Sequence, residues 1–197
     1  MRLAEYLTNI FARDGIVTDE EREIVQYGLE SMGGDLMGAI LILIIGVSFG
    51  CVGDAILVWF WLFPLRKYTG GFHAATKTGC LIVSLGMLFM AFTIFAGFKH
   101  TIFFYTVNGI VSGCVIWRLA PVGNPAKRLD ESEHMIYQQI SRKIMVTEMV
   151  IYLLAIYNKW ECVIRSIGMT FFIAGISLVA GVINLSGKAN FRGRSSE

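Results

Sequence analysis

The residues best suited to chemistry lie between positions 66 and 80, where three basic residues, three glycines, one histidine and one cysteine occur together. A cysteine and a histidine can perform nucleophilic catalysis, because the imidazole accepts the thiol proton and the thiolate then attacks a carbonyl. On one continuous helix His73 and Cys80 would share a face but lie about 10.5 Å apart along the axis, too far for a hydrogen bond. The pair therefore requires a break in the helix between them.

A helix that starts near Thr78 would supply this break, because threonine is a favoured N-cap residue. Cys80 would then lie in the first turn, where free backbone N–H groups, the helix dipole and Lys77 favour the thiolate. The same N–H groups could stabilise an oxyanion, and Gly70 and Gly71 would let a substrate backbone approach closely. The alternative is a basic loop at a membrane boundary with an incidental histidine and cysteine, and the spacing by itself favours that alternative.

The composition indicates a membrane protein. Hydrophobic residues make up 55% of the 197 positions and charged residues 16%, against about 45–50% and about 25% in soluble proteins. The net charge of +2 gives no reason to expect a nucleic-acid partner. The four cysteines have no CxxC spacing, so we expect neither a metal site nor a disulfide, and no cofactor.

The elements that must position the candidate pair are six apolar blocks. They cover residues 37–52, 55–65, 80–98, 101–119, 144–157 and 167–185. A membrane-spanning helix needs about 20 residues, so the third, fourth and sixth blocks are long enough. The first two are short, and one tilted helix or a helical hairpin would both fit them. We predict an all-α fold, a polytopic membrane bundle of about six hydrophobic segments.

Two amphipathic helices are expected before the membrane begins. The apolar face of the first consists of Leu3, Leu7, Ile10 and Phe11. The second opens with a capping box of Thr18 and Glu21, and we expect it to end at Gly33-Gly34. The predicted organisation is thus interfacial helices over residues 1–35, a membrane domain over 36–187 and a cytoplasmic tail over 188–197.

The distribution of basic residues predicts the orientation. Six segments with the N-terminus inside place 14 of the 17 basic residues on the cytoplasmic side. One fused first helix with the N-terminus outside divides them 11 to 6. Because basic residues prefer the cytoplasmic side, the first arrangement is favoured. Both arrangements place residues 66–79 at the cytoplasmic face.

Two acidic residues at or within apolar blocks are functional candidates by default. For Asp54 we favour a role in a turn, and for Glu148 an ion pair with Arg142 or Lys143. Orientation of His73 is the alternative role for Glu148. The other candidates for that orienting role are Asn124, Asp130 and Gln138, and the sequence does not choose among them.

The motif around the cysteine resembles that of a known family. The residues concerned are Arg66, Gly70-Gly71, His73-Ala74, Thr76 and Cys80, and they resemble the signature of the accessory gene regulator B family, the AgrB-like membrane peptidases. Chain length, the amphipathic N-terminal region, the number of apolar segments and a basic loop containing Ala120-Pro121 agree with the resemblance. Ala75 replaces a familiar proline and Lys77 a small polar residue, and these departures concern specificity more than catalysis.

The resemblance implies a cysteine endopeptidase of quorum sensing in the bacterial cell membrane. Such an enzyme removes the C-terminal tail of a short, AgrD-like precursor peptide at the cytoplasmic face. By match, Cys80 is the nucleophile that retains the rest of the precursor as an acyl-enzyme, and His73 is the general base. A thiol or hydroxyl within the precursor then attacks the acyl group, which gives a cyclic thiolactone or lactone.

Further expectations concern the substrate and its partners. The substrate-binding candidates are Arg66, Gly70, Gly71, Lys77, Lys127 and Arg128. The glycines are candidates because they would let a substrate backbone approach closely. The basic residues are candidates because the precursor tail is typically acidic in the family that the chain resembles. The expected partners are the precursor, the lipid bilayer and a second copy of the chain. Two rival functions remain, a small transporter that uses Asp54 and Glu148 and a membrane scaffold without turnover.

Overall fold

The fold was analysed in a computed structural model, which describes residues 2–18, 20–72, 76–96, 102–122 and 130–194. The described residues form seven helices and no β-strand, so the all-α prediction is confirmed. The helices are α1 (Arg2–Arg13), α2 (Arg22–Ser48), α3 (Val52–Thr69), α4 (Lys77–Ala96), α5 (Ile102–Leu119), α6 (Glu131–Asn158) and α7 (Glu161–Arg194).

Each predicted apolar block falls on a helix of its own, from α2 to α7. Within the described part of the chain, four helices are long and apolar enough to cross a membrane: α2, α4 from residue 78, α5, and α7 up to residue 184. Charged side chains interrupt the apolar runs of α3 and α6. Many large apolar side chains on these helices are exposed on the protein surface, as expected where the neighbour is lipid.

The first structural unit, residues 1–41, contains α1 and most of α2. The Glu21 carboxylate accepts hydrogen bonds from the N–H of Thr18 at 3.2 Å and from its hydroxyl at 2.8 Å. The two residues pair as predicted, but α2 begins at Arg22, so the predicted capping box at the start of this helix is wrong. The predicted helix end at Gly33-Gly34 is wrong, because α2 continues through both glycines. Each glycine costs about 1 kcal/mol in a helix, and a backbone that enters lipid recovers more by keeping its internal hydrogen bonds.

The second unit, residues 42–197, is arranged around α7, which packs against α3, α4, α5 and α6. Of the 15 residues from 164 to 178, 12 are buried, and we call this segment with its neighbours the α7 core. Small residues bring the helices close: Gly175 lies against Ser112, and Gly168 lies against Phe95. This is the packing mode expected in lipid, where close van der Waals contact rather than water exclusion holds helices together.

A tight turn at Phe49–Cys51 separates α2 from α3, with Gly50 at a φ of +67°. The first two apolar blocks are therefore two helices. The turn lies just before Asp54, and the predicted turn role for that residue is wrong. Asp54 is buried in the first turn of α3, where its carboxylate accepts hydrogen bonds from Arg165 Nε at 3.0 Å and Nη2 at 3.4 Å.

The ion pair predicted for Glu148 is also wrong. Both of its carboxylate oxygens are buried without a hydrogen-bond partner among the described residues. The guanidinium of Arg142 instead stacks over the ring of Trp117, with 4.7 Å between its central carbon and the ring centroid. Arg142 lies six residues before Glu148, which is more than one helical turn along α6. Its guanidinium packs against an aromatic ring of α5 instead.

Candidate active site

The helix that carries Cys80 begins at Lys77, which confirms the predicted helix start within two residues of Thr78. The capping residue differs from the prediction. The hydroxyl oxygen of Thr76 accepts a hydrogen bond from the N–H of Gly79 at 3.0 Å, so Thr76 is the N-cap and Thr78 lies in the first turn. The two threonines are separated by one residue, and local sequence preference does not distinguish between them.

Cys80 is the fourth residue of α4 and its side chain is half-buried. Its backbone N–H donates to the carbonyl oxygen of Thr76 at 3.0 Å. The N–H groups of Cys80 and Gly79 are thus used within the helix start, so the predicted oxyanion donors have to come from the residues before Gly79 or from elsewhere.

Within the described residues, the part of α4 around Cys80 is less deeply buried than the rest of the helix. None of the described side chains from residue 78 to 87 is buried, whereas Leu88, Ala91 and Phe92 further along the helix are. We call residues 76–87 the Cys80 arm.

The chain that leaves α3 toward His73 is held on two sides. The N–H of Val122 donates to the carbonyl oxygen of Thr69 at 2.9 Å. On the other side, the N–H of Phe72 donates to the hydroxyl oxygen of Ser177 at 3.2 Å. Residues 69–72, which we call the α3 exit loop, therefore lie between α7 and the segment that follows α5.

Gly70 and Gly71 allow these contacts. Both have a positive φ, +69° and +145°, which disfavours any residue with a Cβ atom. A Cβ atom on Gly70 would collide with the carbonyl oxygen of Val122, and one on Gly71 with the hydroxyl oxygen of Ser177. The groups that lie close to these glycines are Val122 and Ser177 of the same chain. The predicted contact between the glycines and a substrate backbone stays a prediction.

The other predicted site residues are distributed as follows. Arg66 is half-buried in the last turn of α3, next to the exposed Lys67. Asp130 is exposed and serves as the N-cap of α6. His73, Asn124, Lys127, Arg128 and the side chain of Lys77 lie outside the described residues. No group of three metal-binding side chains occurs in the parts of the chain that the structure describes.

Comparison with known proteins adds the decisive observation. The model of the family described as "Accessory gene regulator B" matches residues 4–183, which include all of α2 to α6 and most of α1 and α7. The chain belongs to this family. Within the accessory gene regulator B family, the match extends from α1 to well past the middle of α7, so it includes Cys80, the α3 exit loop and Ser177.

Two relatives are AgrB-like proteins of Clostridium perfringens. The one from strain SM101 is 27% identical over 170 residues, which are 81% of this chain and 79% of the relative. The second, AgrB-like protein 2 of strain 13, is 28% identical over 152 residues, 72% and 71% of the two chains. No solved structure matches the chain. Family membership and the apolar helices identify a multi-pass membrane protein and support a role in quorum-sensing peptide processing.

The structure also identifies residues near the site of this AgrB-family chain that the sequence interpretation missed. Ser177 and Val122 contact the α3 exit loop, although both are more than 50 positions away from it. The available signal was a serine within an apolar run, between Gly175 and Gly181. Small residues in such a run indicate close packing, but they do not identify the segment that packs there.

Proposed function

We propose that the chain is a membrane-embedded cysteine endopeptidase that removes the C-terminal tail of a short quorum-sensing precursor peptide. The observation that carries this proposal is the position of Cys80, four residues into a helix that starts after an interruption between α3 and α4. A continuous helix would have kept Cys80 and His73 two turns apart. The interruption removes that obstacle.

The proposed reaction has two acyl-transfer steps. His73 accepts the proton of the Cys80 thiol, and the thiolate attacks the scissile carbonyl carbon of the precursor. The peptide C–N bond breaks, the departing amine takes the proton from His73, and the rest of the precursor remains as a thioester on Cys80. A thiol or hydroxyl within the precursor then attacks the thioester, which closes the ring and returns the Cys80 thiol.

Charge supports the recognition of an acidic precursor tail. Arg66 and Lys67 occupy the last turn of α3, and we propose that Lys77, Lys127 and Arg128 join them near the substrate. Such charges increase the association rate more than they increase affinity. We propose that this face is cytoplasmic, that residues 1–35 lie at the membrane interface, that 188–197 form a cytoplasmic tail, and that a second copy of the chain is a partner.

The rival function of a small transporter receives less support. It uses Asp54 and Glu148 together as a membrane-embedded site, but Arg165 already engages both carboxylate oxygens of Asp54. The first unit, α1 with most of α2, is the part on which a non-catalytic scaffold would depend. Loss of turnover on removal of one sulfur atom is incompatible with both rivals.

The test is tail cleavage by membranes that contain variants of the full chain, with the peptide encoded beside its gene as substrate and an epitope tag on the tail. Cys80→Ala and Cys80→Ser should abolish cleavage, and His73→Ala should leave at most a trace. The matched controls are Cys51→Ala, Cys114→Ala and Cys162→Ala, which should cleave like the wild type. Wild-type cleavage by the Cys80 variants would refute the proposal.

A further inference from the structure

A small polar patch on α7 contacts the backbone that leads to the proposed general base. Ser177 is 2% exposed and lies inside the mainly apolar segment 167–185. Its hydroxyl oxygen accepts the hydrogen bond from the N–H of Phe72, the residue directly before His73. This bond connects two segments that are 105 positions apart.

The same patch fits the loop sterically. A Cβ atom on Gly181, one helical turn after Ser177, would lie 3.0 Å from the carbonyl carbon of Gly71 and 3.2 Å from the nitrogen of Phe72. A Cβ atom on Gly71 would collide with the hydroxyl oxygen of Ser177. The backbone of the loop therefore rests directly on α7, with no room for a side chain at either glycine.

No comparable support comes from the other end of the connection. The described side chains from residue 78 to 87 of the Cys80 arm are not buried, so the arm does not fix the loop through packing. Among the described residues, the bond from Val122 to Thr69 also holds the loop, at a position earlier in the chain. The last described contact before His73 is thus the one made by Ser177.

We propose that Ser177 and Gly181 form a seat on α7 that fixes the backbone directly before the general base, which makes Ser177 a positioning residue of the peptidase. This inference rests on the proposed function, since it concerns the base of that reaction. A base displaced by about 1 Å can cost about a hundredfold in rate, so a hydrogen bond to the adjacent residue is enough to affect turnover.

Four variants of the full chain in membranes test the seat. Ser177→Ala removes the hydroxyl, and we expect kcat for tail cleavage to fall about tenfold with KM unchanged, because the substrate does not touch Ser177. Ser177→Thr keeps a hydroxyl and should restore most of the rate. Gly181→Ala places a Cβ atom 3.0 Å from the carbonyl carbon of Gly71, so the loop must shift by a few tenths of an ångström, and kcat should fall about tenfold. Ser166→Ala is the control for a lost buried hydroxyl, since Ser166 donates only within α7.

Gly175→Ala is the matched control for Gly181→Ala. A Cβ atom on Gly175 would meet Ser112 at 3.7 Å, an ordinary contact distance, so this variant should cleave like the wild type. If Ser177→Ala cleaves at the wild-type rate, or if Ser166→Ala and Gly175→Ala lose as much activity as the seat variants, the seat is refuted. A rise in KM with unchanged kcat would likewise refute it, because it would indicate a substrate contact instead.

A second readout separates the seat from the proposed function. In a chain whose other three cysteines are alanine, the rate at which iodoacetamide alkylates Cys80 at pH 7 reports its thiolate without any substrate. His73→Ala should slow this alkylation, and Ser177→Ala should slow it in the same direction. If His73→Ala has no effect, the proposed dyad fails. If His73→Ala slows alkylation and Ser177→Ala does not, the dyad stands and the seat is wrong.

Discussion

The α7 core and the Cys80 arm differ in how much of each is buried. In the α7 core 12 of 15 residues are buried, whereas in the arm none of the described side chains from 78 to 87 is. The core packs α3, α4, α5 and α6 around α7, and α4 contributes buried side chains from Leu88 onward. The difference indicates that the core supplies most of the packing that stabilises the fold, and we propose that the less buried arm presents Cys80 to a peptide.

The ion pair between Asp54 and Arg165 is the test of the core with the largest expected effect. The Asp54 side chain is 5% exposed and that of Arg165 31%, so one partner is fully buried and the other partly. Asp54→Ala leaves the guanidinium unpaired and should lower the free energy of unfolding by about 3 kcal/mol. Thermal unfolding of the detergent-solubilised protein measures this loss. A combined Asp54→Leu and Arg165→Met variant should recover most of it, and no recovery would contradict the account.

Truncation of one buried and one exposed side chain on α4 compares the core with the Cys80 arm. Phe92 is completely buried, and Phe92→Ala should reduce stability by about 2 kcal/mol, less than in a soluble core because the removed surface would face lipid rather than water. Ile82 lies in the Cys80 arm and is 62% exposed, so Ile82→Ala should change stability by less than about 0.5 kcal/mol. Equal losses in the same unfolding assay would remove the distinction between core and arm.

Replacement of Glu148 by an apolar residue should increase the stability of the protein. Its carboxylate oxygens are buried with no described hydrogen-bond partner, which is costly in a membrane bundle. Glu148→Leu should therefore raise the free energy of unfolding by about 1–2 kcal/mol. A destabilised variant would show that the carboxyl is satisfied in the folded protein. A stabilised variant that has lost tail cleavage would assign the residue to function.

The N-cap of the arm should have the smallest effect on stability and a local effect on chemistry. Thr76→Ala removes the acceptor for the Gly79 N–H and should cost about 1 kcal/mol. Because the helix start would fray near Cys80, cleavage should fall severalfold. Thr78→Ala is the control, since Thr78 is exposed and does not cap the helix, and it should leave both quantities unchanged. If Thr78→Ala lowered stability and cleavage more than Thr76→Ala did, Thr78 would be the N-cap.

Local features were predictable from the sequence. The apolar blocks predicted six helical segments, and hydrogen bonding within a helix depends on neighbouring residues, so α2 to α7 follow from composition and length. The break before Cys80 was predicted from Thr78, a favoured N-cap residue two positions before it. The capping residue was not, because Thr76 and Thr78 have the same intrinsic preference.

Contacts between distant residues were not predictable. Asp54 and Arg165 are 111 positions apart, and the charge of Arg165 was interpreted only as evidence for topology. Gly70 and Gly71 were expected to admit a substrate, whereas the packing of α7 brings Ser177 against them. One sequence specifies which positions can approach closely, but the identity of the approaching segment depends on how all the helices pack.

Detection of the acyl-enzyme tests the central claim most directly. The membranes are incubated with a precursor peptide whose internal thiol or hydroxyl residue has been replaced by alanine, so that ring closure is blocked and the thioester accumulates. Mass spectrometry of the digested chain should then find the precursor's N-terminal part on the peptide that contains Cys80, and hydroxylamine should release it. Tail release without any adduct on Cys80, or with the adduct on Cys51, Cys114 or Cys162, would contradict the account.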